Sequence, residues 1–421
     1  MAFEERHLVV EVETMLCGPP IGEPRPPERR ATIPMSANHI TASEIHDEFG
    51  VSFAHRLVFD RDVLAADNPT IERMLDVPAT GEPRPGMIVA VDSGLAAATP
   101  GIQDAIRARF QRDRLPEVRE ILDVPGGESA KNDPDVVDRV LAAIDRHRID
   151  RRSYVAVFGG GAVIDAVGFA SSTAHRGVRL LRFPTTVLGQ LDAAIGVKNG
   201  VNRFDKKNFV GAFDVPVAVI CDEGLLEGLD DRTWCEGFSE AVKIACLQDA
   251  VFFGEIEAAA DRIRRRQADA ARPVIRRCAE LHLRHIATGG DPFERREARP
   301  LDFGHWSAHR LESMSGFTRS HGEAVAIGVC LDAAYSHFTG RLDRGSLDRI
   351  LDTTVRLGLP IFDPRLREQG LIDGLEEFRE HLGGRLTVTL LEEIGRGVDV
   401  HEIDLDPLRR SIAHLESNAS E

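Results

Sequence analysis

One segment constrains the fold of this chain more than any other. In YVAVFGGGAVIDAVGFASS, at residues 154–172, an apolar run leads into three consecutive glycines and then into an Ala/Val-rich stretch. The pattern is typical of a buried strand joined to a helix, whose N-terminus offers free N–H groups to a phosphate. It is not the G-x-G-x-x-G fingerprint, because Ile164 stands where the last glycine belongs. A phosphate-binding turn and a tight turn without a ligand both fit it.

Four short apolar runs alternate with stretches long enough for crossover helices. Each run is followed by Asp, Gly or Pro, which is typical of buried parallel strands. The runs occupy residues 87–91, 154–158, 179–183 and 217–221. We therefore expect an α/β nucleotide-binding domain over residues 1–230, with loops at the proline-rich stretches 17–30 and 76–86.

The pattern changes after residue 230. Ala, Arg, Glu and Leu dominate, and apolar side chains recur with the period of a helix, as in IRRCAELHLRHI at 275–286. We expect residues 231–421 to form an all-helical domain apart from one candidate strand, RLTVTLL at 385–391.

Charge and composition exclude several classes of function. The chain has 52 Lys and Arg against 68 Asp and Glu, a net charge of −16, which argues against a protein that binds nucleic acids or anionic membranes through a basic face. No apolar run reaches the roughly 18–20 residues of a membrane helix. The N-terminal MAFEERHLVV carries charges where a signal peptide is apolar, and the six cysteines include no C-x-x-C pair. We expect a cytoplasmic protein with reduced thiols.

A polar segment follows the glycine-rich turn. RFPTTVLGQLDAAIGVKNGVNRFDKKNFVGAF, at 182–213, places hydroxyl, amide and ammonium groups among small residues. Such groups at this density can surround an anionic, polyhydroxylated ligand, and the glycines permit close backbone approach. A solvated loop face is the alternative interpretation. The polar residues are Thr185, Thr186, Asp192, Lys198, Asn202, Lys206, Lys207 and Asn208.

Three helical segments beyond residue 230 carry residue types that bind metals. Glu240 and Lys243 are three apart, and His305 and His309 are four apart, so each pair shares a helix face. His321 opens a further helical segment. One carboxylate and two imidazoles can form a three-ligand Zn²⁺ site with an open position. Single histidines are more often structural, however, and spacing alone does not decide between His305 and His309.

The order of these segments resembles the sugar phosphate cyclases, whose best-known member is 3-dehydroquinate synthase. GGGAVID resembles the nucleotide loop of that family, and FPTTVLGQLDAAIGVKNGVN resembles its threonine-to-asparagine block. EGFSEAVK, DFGHWSAH and HGEAVAIG resemble its metal and active-site helices. The resemblance extends over residues 92–394. It implies NAD in the α/β domain, Zn²⁺ or Co²⁺ in the helical domain, an active site between them and a homodimer.

The resemblance also implies a role for each site residue. The implied metal ligands are Glu240, His305 and His321. The implied NAD contacts are Asp92, Glu128, Lys131, Gly160, Gly161, Asp165, Thr185, Thr186 and Lys207. The implied substrate contacts are Arg176, Asp192, Lys198, Asn208, Lys243 and His309. The implied reaction is that of a phosphate lyase: transient oxidation of a ring hydroxyl, phosphate elimination, return of the hydride and intramolecular aldol closure.

Departures from the family pattern bear on the substrate. His282 stands where 3-dehydroquinate synthases have the lysine that helps bind the substrate carboxylate, and Asp302 replaces an asparagine. Arg299 lies three residues before Asp302 rather than four, and Arg379 is the cation nearest to the place of an expected lysine pair. Losing a lysine and gaining an aspartate weakens an anion site. We therefore expect sedoheptulose 7-phosphate as the substrate and a valiolone-type cyclitol as the product.

Three alternatives stay open at this point. The enzyme could be a 3-dehydroquinate synthase acting on deoxy-arabino-heptulosonate 7-phosphate. It could be a metal-dependent NAD polyol dehydrogenase, which shares the two-domain arrangement but releases NADH. It could also be a catalytically silent relative that only binds ligands. The sequence does not distinguish zinc from cobalt.

Overall fold

The computed structural model describes residues 9–16, 47, 50–76, 82–112, 114–204, 206–289, 293, 300–381 and 384–419, with the backbone alone at 9–16, 300 and 381. The predicted loop at 17–30, part of the one at 76–86, and Arg299 lie outside the described residues. Within the described ranges, no helix is both long and apolar enough to cross a membrane.

A parallel sheet forms the centre of the N-terminal half. Its strands are β1 (Val9–Leu16), β2 (Val51–Asp60), β3 (Gly86–Asp92), β4 (Glu117–Val124), β5 (Tyr154–Gly159), β6 (Arg179–Pro184) and β9 (Ala218–Asp222). Between β6 and β9 in the chain, β7 (Lys198–Arg203) and β8 (Lys206–Phe213) form a separate hairpin. The sheet order is β1-β2-β9-β6-β5-β3-β4. Only β1 and β2 pair antiparallel in this sheet as described. The four predicted strands are confirmed as β3, β5, β6 and β9.

Helices cover both faces of this sheet. In β3, Met87, Val89 and Val91 belong to one hydrophobic core and Ile88 and Ala90 to the other, because successive side chains of a strand point to opposite faces. A parallel sheet needs such cover on both sides. The helices of this half are α1 (Thr70–Met74), α2 (Ser93–Ala98), α3 (Ile102–Phe110), α4 (Ser129–Asn132), α5 (Pro134–Arg146) and α6 (Gly161–Thr173).

The C-terminal half is mainly helical, as predicted, but not all-helical. The predicted late strand is confirmed as β10 (Val388–Glu393), and it pairs antiparallel with β11 (Arg396–Val400), which the sequence analysis did not predict. The helices are α7 (Asp231–Glu236), α8 (Phe238–Gln248), α9 (Ala250–Arg264), α10 (Ala268–Thr288), α11 (His305–Met314), α12 (His321–Phe338), α13 (Arg344–Arg356), α14 (Gln369–His381) and α15 (Leu405–Ala419).

The β7–β8 hairpin packs on α6 rather than joining the main sheet. Gly168 of α6 makes this possible, since a Cβ there would lie 1.9 Å from Oδ1 of Asn199 on β7. Oδ1 of Asn199 accepts a hydrogen bond of 2.8 Å from Nη2 of Arg182, which is fully buried. The hairpin therefore lies close against the helix that begins at the glycine-rich turn, and it carries Lys198, Lys207 and Asn208.

Candidate active site

A cavity of about 740 Å³ lies at the carboxyl edge of the sheet. Its lining comes from the ends of β3, β5 and β6 on one side and from α8, α10, α11 and α12 on the other. Ligands of open parallel sheets bind at this edge, outside the carboxyl ends of the strands.

Most of the predicted site residues line this one cavity. All nine residues predicted to contact NAD line the cavity, namely Asp92, Glu128, Lys131, Gly160, Gly161, Asp165, Thr185, Thr186 and Lys207. The lining also includes Asp192, Lys198, Asn208, Lys243, His282, Asp302, His305, His309 and His321. Glu240 is fully buried behind the wall, beside His305 and His321. Residues more than 100 positions apart in the chain therefore share one cavity.

The glycine-rich turn presents the start of α6 to the cavity. A Cβ on Gly161 would lie 2.8 Å from Cβ of Ala193, and one on Gly126, after β4, would lie 2.6 Å from Oδ1 of Asp92. Side chains at these two positions would therefore crowd the rim. Thr186 accepts a hydrogen bond on its hydroxyl from the Gly189 N–H at 3.0 Å. The free N–H groups at the N-terminus of α6 suit a phosphate.

Charged pairs join α4, α6 and the hairpin beside this turn. Nζ of Lys131 lies 2.5 Å from Oδ2 of Asp165. Burial lowers the pKa of Lys131, but the attraction of Asp165 and Glu128 outweighs it, and the pKa is raised. Asn202 donates to Oε1 of Glu128 at 2.7 Å and accepts from the Asn208 N–H at 2.8 Å. Asn202 thus holds the hairpin in place.

Glu240, His305 and His321 bring one possible ligand atom each within 4.8 Å of one another. Nε2 of His305 and Nε2 of His321 lie 3.6 and 3.5 Å from Oε1 of Glu240. Nδ1 of His305 donates to the Phe303 carbonyl at 3.1 Å, and Nδ1 of His321 lies 3.2 Å from Oε2 of Glu312. The outer nitrogens face acceptors, so the two Nε2 atoms, which face Glu240, are the ones that can offer a lone pair to a metal.

The residues present fit a divalent metal. Both carboxylate oxygens of Glu240 are buried without a well-aligned hydrogen bond among the described residues, although Nζ of Lys243 lies 2.5 Å from Oε2. Oε1 of Glu240 faces the Nε2 atoms of His305 and His321, and a carboxylate with two imidazoles is a common zinc donor set. His309 instead groups with Glu312 and His321. The geometry therefore favours His305 over His309 beside Glu240, a choice that spacing alone leaves open.

The two imidazoles differ in their electrostatic surroundings. Burial, assisted by the positive charge of Lys243, holds the pKa of His305 well below its usual range. Burial also opposes the charged form of His321, but the Glu312 carboxylate outweighs it and raises the pKa of His321 to about 9. A carboxylate therefore lies behind the His321 ring and a neutral carbonyl behind the His305 ring.

Besides Glu240, the cavity has the carboxylates of Asp192 and Asp302 close to Lys243. Nδ1 of His282 lies 2.8 Å from Oδ1 of Asp192, which is on a π-helical turn, Gly189–Ala193. Burial raises the pKa of Asp192, but His282 outweighs it and the pKa is lowered. Lys243 is buried, and Glu240, Asp192 and Asp302 together overcome the effect of burial and raise its pKa. The lysine is therefore already surrounded by negative groups.

Glu312 is a site residue that the sequence analysis missed. It contacts both His321 and Lys207 and is 2% exposed. It lies three residues after His309 and seven after His305, so it shares their helix face. That spacing was the signal that could have identified it.

Arg176, predicted to contact substrate, does not line the cavity of its own chain. It is exposed in the 3-10 turn Ala174–Arg176, with φ of 64°. This turn follows the far end of α6, which has 13 residues, and a helix of that length spans about 20 Å. Arg379 does not line the cavity either; it pairs with Glu376 on α14. Arg299 lies outside the described residues.

Two family models match the chain. The 3-dehydroquinate synthase N-terminal model matches residues 121–236, and the 3-dehydroquinate synthase C-terminal model matches residues 237–377. The chain is 35% identical over 262 residues to the 3-dehydroquinate synthase of Halorhodospira halophila, covering 62% of this chain and 73% of that one. It is 34% identical over 304 residues to the 3-dehydroquinate synthase of a Rhodopseudomonas palustris strain, covering 69% and 78%.

Solved structures share the fold. A 2-epi-5-epi-valiolone synthase from Streptomyces hygroscopicus, with NAD⁺ and Zn²⁺ bound, has a TM-score of 0.77 and 26% identity, covering 90% of this chain and 99% of that one. A 2-deoxy-scyllo-inosose synthase, complexed with carbaglucose-6-phosphate, NAD⁺ and Co²⁺, has a TM-score of 0.70 and 20% identity over 86% and 97%, a likeness of fold alone. The chain therefore belongs to the 3-dehydroquinate synthase family and is an enzyme of the sugar phosphate cyclase superfamily.

Proposed function

We propose that this cyclase converts sedoheptulose 7-phosphate to a valiolone-type cyclitol, with NAD and a divalent metal, Zn²⁺ or Co²⁺. The observation that carries the choice of sugar is the pairing of His282 with Asp192, 2.8 Å apart, in a wall that also contains Asp302.

The cofactor positions follow the shape of the cavity. We assign the dinucleotide to the turn at Gly160 and Gly161, to Asp92 and the other predicted NAD contacts at the sheet edge, and to Lys207 on the hairpin. The support is the combination of a helix N-terminus, which suits the pyrophosphate, and Asp92, a carboxylate at the rim that can accept hydroxyl hydrogen bonds. We assign the metal to Glu240, His305 and His321. When bound, the dinucleotide supplies a reversible hydride acceptor and the metal supplies a Lewis acid.

The phosphate of the sugar is assigned to Lys198 and Asn208, both on the hairpin. An ammonium and an amide supply donors to phosphate oxygens. Arg176 is assigned to the same phosphate, but it is exposed and outside the cavity of its own chain. In a homodimer, which we also propose, it would have to reach the site of the second copy.

Lys243 and His309 are assigned to the sugar hydroxyls and to proton transfer. The raised pKa of Lys243 keeps its ammonium protonated, so it donates hydrogen bonds rather than accepting protons. His309 lines the cavity, and an imidazole has one ring nitrogen that donates a hydrogen bond and one that accepts. Buried groups held in this way also keep water from the reacting carbons.

The charge of the wall distinguishes two sugar phosphates. A carboxylated sugar would place a third negative group beside Asp192 and Asp302, with one histidine where 3-dehydroquinate synthases have a lysine. Like charges that share a poorly solvated wall repel strongly. The hydroxymethyl group of sedoheptulose 7-phosphate carries no charge and can hydrogen-bond to the same carboxylates. The structural likeness to a valiolone synthase, at 26% identity, supports the same choice.

The second candidate is a 3-dehydroquinate synthase that acts on deoxy-arabino-heptulosonate 7-phosphate, because the curated relatives at 34–35% identity carry that name. An assay separates the two. The metal-loaded enzyme with NAD⁺ is given each sugar separately, and released phosphate and NADH absorbance are followed. Phosphate from sedoheptulose 7-phosphate without net NADH supports the proposal. Phosphate from the carboxylated sugar alone overturns it, and accumulating NADH indicates a dehydrogenase.

A further inference from the structure

Glu312 is a buried carboxylate that none of the roles above uses. Its side chain is 3% exposed and it lies on α11, the helix that begins at His305. Oε2 lies 3.2 Å from Nδ1 of His321, and Oε1 pairs with Nζ of Lys207. Burying a carboxylate is costly unless such partners compensate for the lost hydration. Its two partners belong to the metal group and to the hairpin, so it connects two parts of the site.

The contact with His321 restricts one ring in two ways. A neutral ring that donates Nδ1–H to Glu312 has its lone pair on Nε2, and that atom lies 3.5 Å from Oε1 of Glu240. The same contact fixes the rotation of the ring plane. In the equivalent position, the part of the chain that the structure describes gives His305 the neutral Phe303 carbonyl. A carboxylate behind a histidine ligand raises the basicity of that ligand more than a neutral acceptor does.

The contact with Lys207 fixes Glu312 in turn. Lys207 comes from β8, 105 positions away in the chain, and its Nζ also lies 4.0 Å from Oε2 of Glu128. The ammonium therefore holds the carboxylate from the side opposite His321. The hairpin that carries Lys207 also carries Lys198 and Asn208, the proposed phosphate contacts.

We propose that Glu312 is a positioning residue for the metal ligand His321, and that Lys207 anchors it from the β7–β8 hairpin. This inference rests on the proposed metal site at Glu240, His305 and His321. Glu312 holds the His321 ring with Nε2 directed at the metal position, and it does so without being a ligand itself. The consequence is that metal affinity depends on Lys207, which lies on the same hairpin as the proposed phosphate contacts.

The test is a titration of metal-free protein with Co²⁺, followed by the absorption bands of the bound ion, without NAD or sugar. Glu312→Gln keeps the size of the side chain but removes its charge, so we expect Co²⁺ to bind about 10- to 100-fold more weakly. Glu377→Gln is the matched control. Glu377 is exposed on α14, does not line the cavity, and pairs with Arg310 of α11, the helix that carries Glu312. It should leave the affinity unchanged.

A second variant separates this inference from the proposed function. Glu240→Ala should abolish Co²⁺ binding, and if it binds like the wild type the proposed metal site itself is wrong. If Glu240→Ala loses the metal while Glu312→Gln binds it with wild-type affinity, the positioning role is refuted and the metal site stands.

A measurement on the unchanged protein covers the case in which Glu312→Gln does not fold. Histidine nitrogen NMR of the zinc-loaded wild type, with His321 assigned from His321→Asn, reports which ring nitrogen carries the proton. A protonated Nδ1 and a ligated Nε2 at His321 support the proposal. Ligation through Nδ1 contradicts it, because Glu312 could not then hold that proton.

Discussion

At the scale of single residues, the sequence predicts the members of the proposed metal group, and the structure shows which of them lie together. Glu240, His305 and His321 were predicted through a family resemblance, while spacing alone left His305 and His309 equivalent, since both occupy one helix face. Only the three-dimensional structure separates them, by placing Nε2 of His305 3.6 Å from Oε1 of Glu240. Glu312 was missed because its partner Lys207 is 105 positions away.

A single substitution tests the residue-scale account of the substrate. We expect His282→Lys to place an ammonium beside Asp192 and to favour a carboxylated sugar. The ratio of kcat/KM for deoxy-arabino-heptulosonate 7-phosphate over sedoheptulose 7-phosphate should rise about tenfold, as ~1.4 kcal/mol of differential binding gives. Steady-state phosphate release with each sugar measures it. An unchanged ratio would mean that residue 282 does not face the part of the sugar in which the two substrates differ.

At the scale of elements, the strands of the parallel sheet were predictable because each is a continuous apolar run. The β7–β8 hairpin was not, since its strands are rich in Gly, Asn and Lys and show no alternation that would indicate a half-buried sheet. Its position depends on contacts with α6 that no local pattern reports. Arg176 shows the same limit, because the motif match did not reveal that α6 separates it from the cavity.

Gly168 tests the packing of the hairpin. Gly168→Ala would put a Cβ 1.9 Å from Oδ1 of Asn199 and push the hairpin from the helix. We expect it to lower the free energy of unfolding by about 1–3 kcal/mol, as overpacking does. Gly254→Ala on α9 is the control: no atom outside its local helix lies within 4 Å of the added Cβ, so it should be stabilising by about 0.5–1 kcal/mol. Urea unfolding measures both, and equal effects would refute the close contact.

At the scale of the whole molecule, the two-part architecture was predictable from the order of the motifs. The α/β half precedes the helical half, and the cavity lies where both contribute residues. The proposed substrate depends on contacts between distant residues, because His282 and Asp192 lie 2.8 Å apart in a cavity that Asp302 also lines. The residues that close such a site come from distant parts of the chain.

The pH dependence of stability tests a buried group beneath the site. Nε2–H of His55 donates to the Ile195 carbonyl at 2.9 Å, and burial lowers the pKa of His55 from 6.5 to about 4. Below pH 6.5, His55 binds a proton in the unfolded chain, whereas in the folded chain it stays neutral until the pH falls to about 4. Acid therefore lowers the free energy of unfolding between pH 6.5 and about 4. The loss is on the order of 3 kcal/mol. It is absent above pH 6.5, where both states are neutral.

His55→Gln retains a donor toward Ile195 but does not titrate. Urea unfolding at a series of pH values should show a shallower loss of stability between pH 6.5 and 4 in the variant than in the wild type. Identical profiles for the two proteins would show that His55 keeps an ordinary pKa in the folded state.

The central claim is that this cyclase acts on a heptulose phosphate that carries a hydroxymethyl group in place of a carboxylate. The most direct test is a competition in one vessel, in which equal amounts of sedoheptulose 7-phosphate and deoxy-arabino-heptulosonate 7-phosphate meet the metal-loaded enzyme with NAD⁺. Mass spectrometry of the products shows which sugar the enzyme converts, and the result does not depend on the fraction of active protein. We predict that a valiolone-type cyclitol accumulates while the carboxylated sugar persists. Accumulation of 3-dehydroquinate with sedoheptulose 7-phosphate untouched would contradict the account.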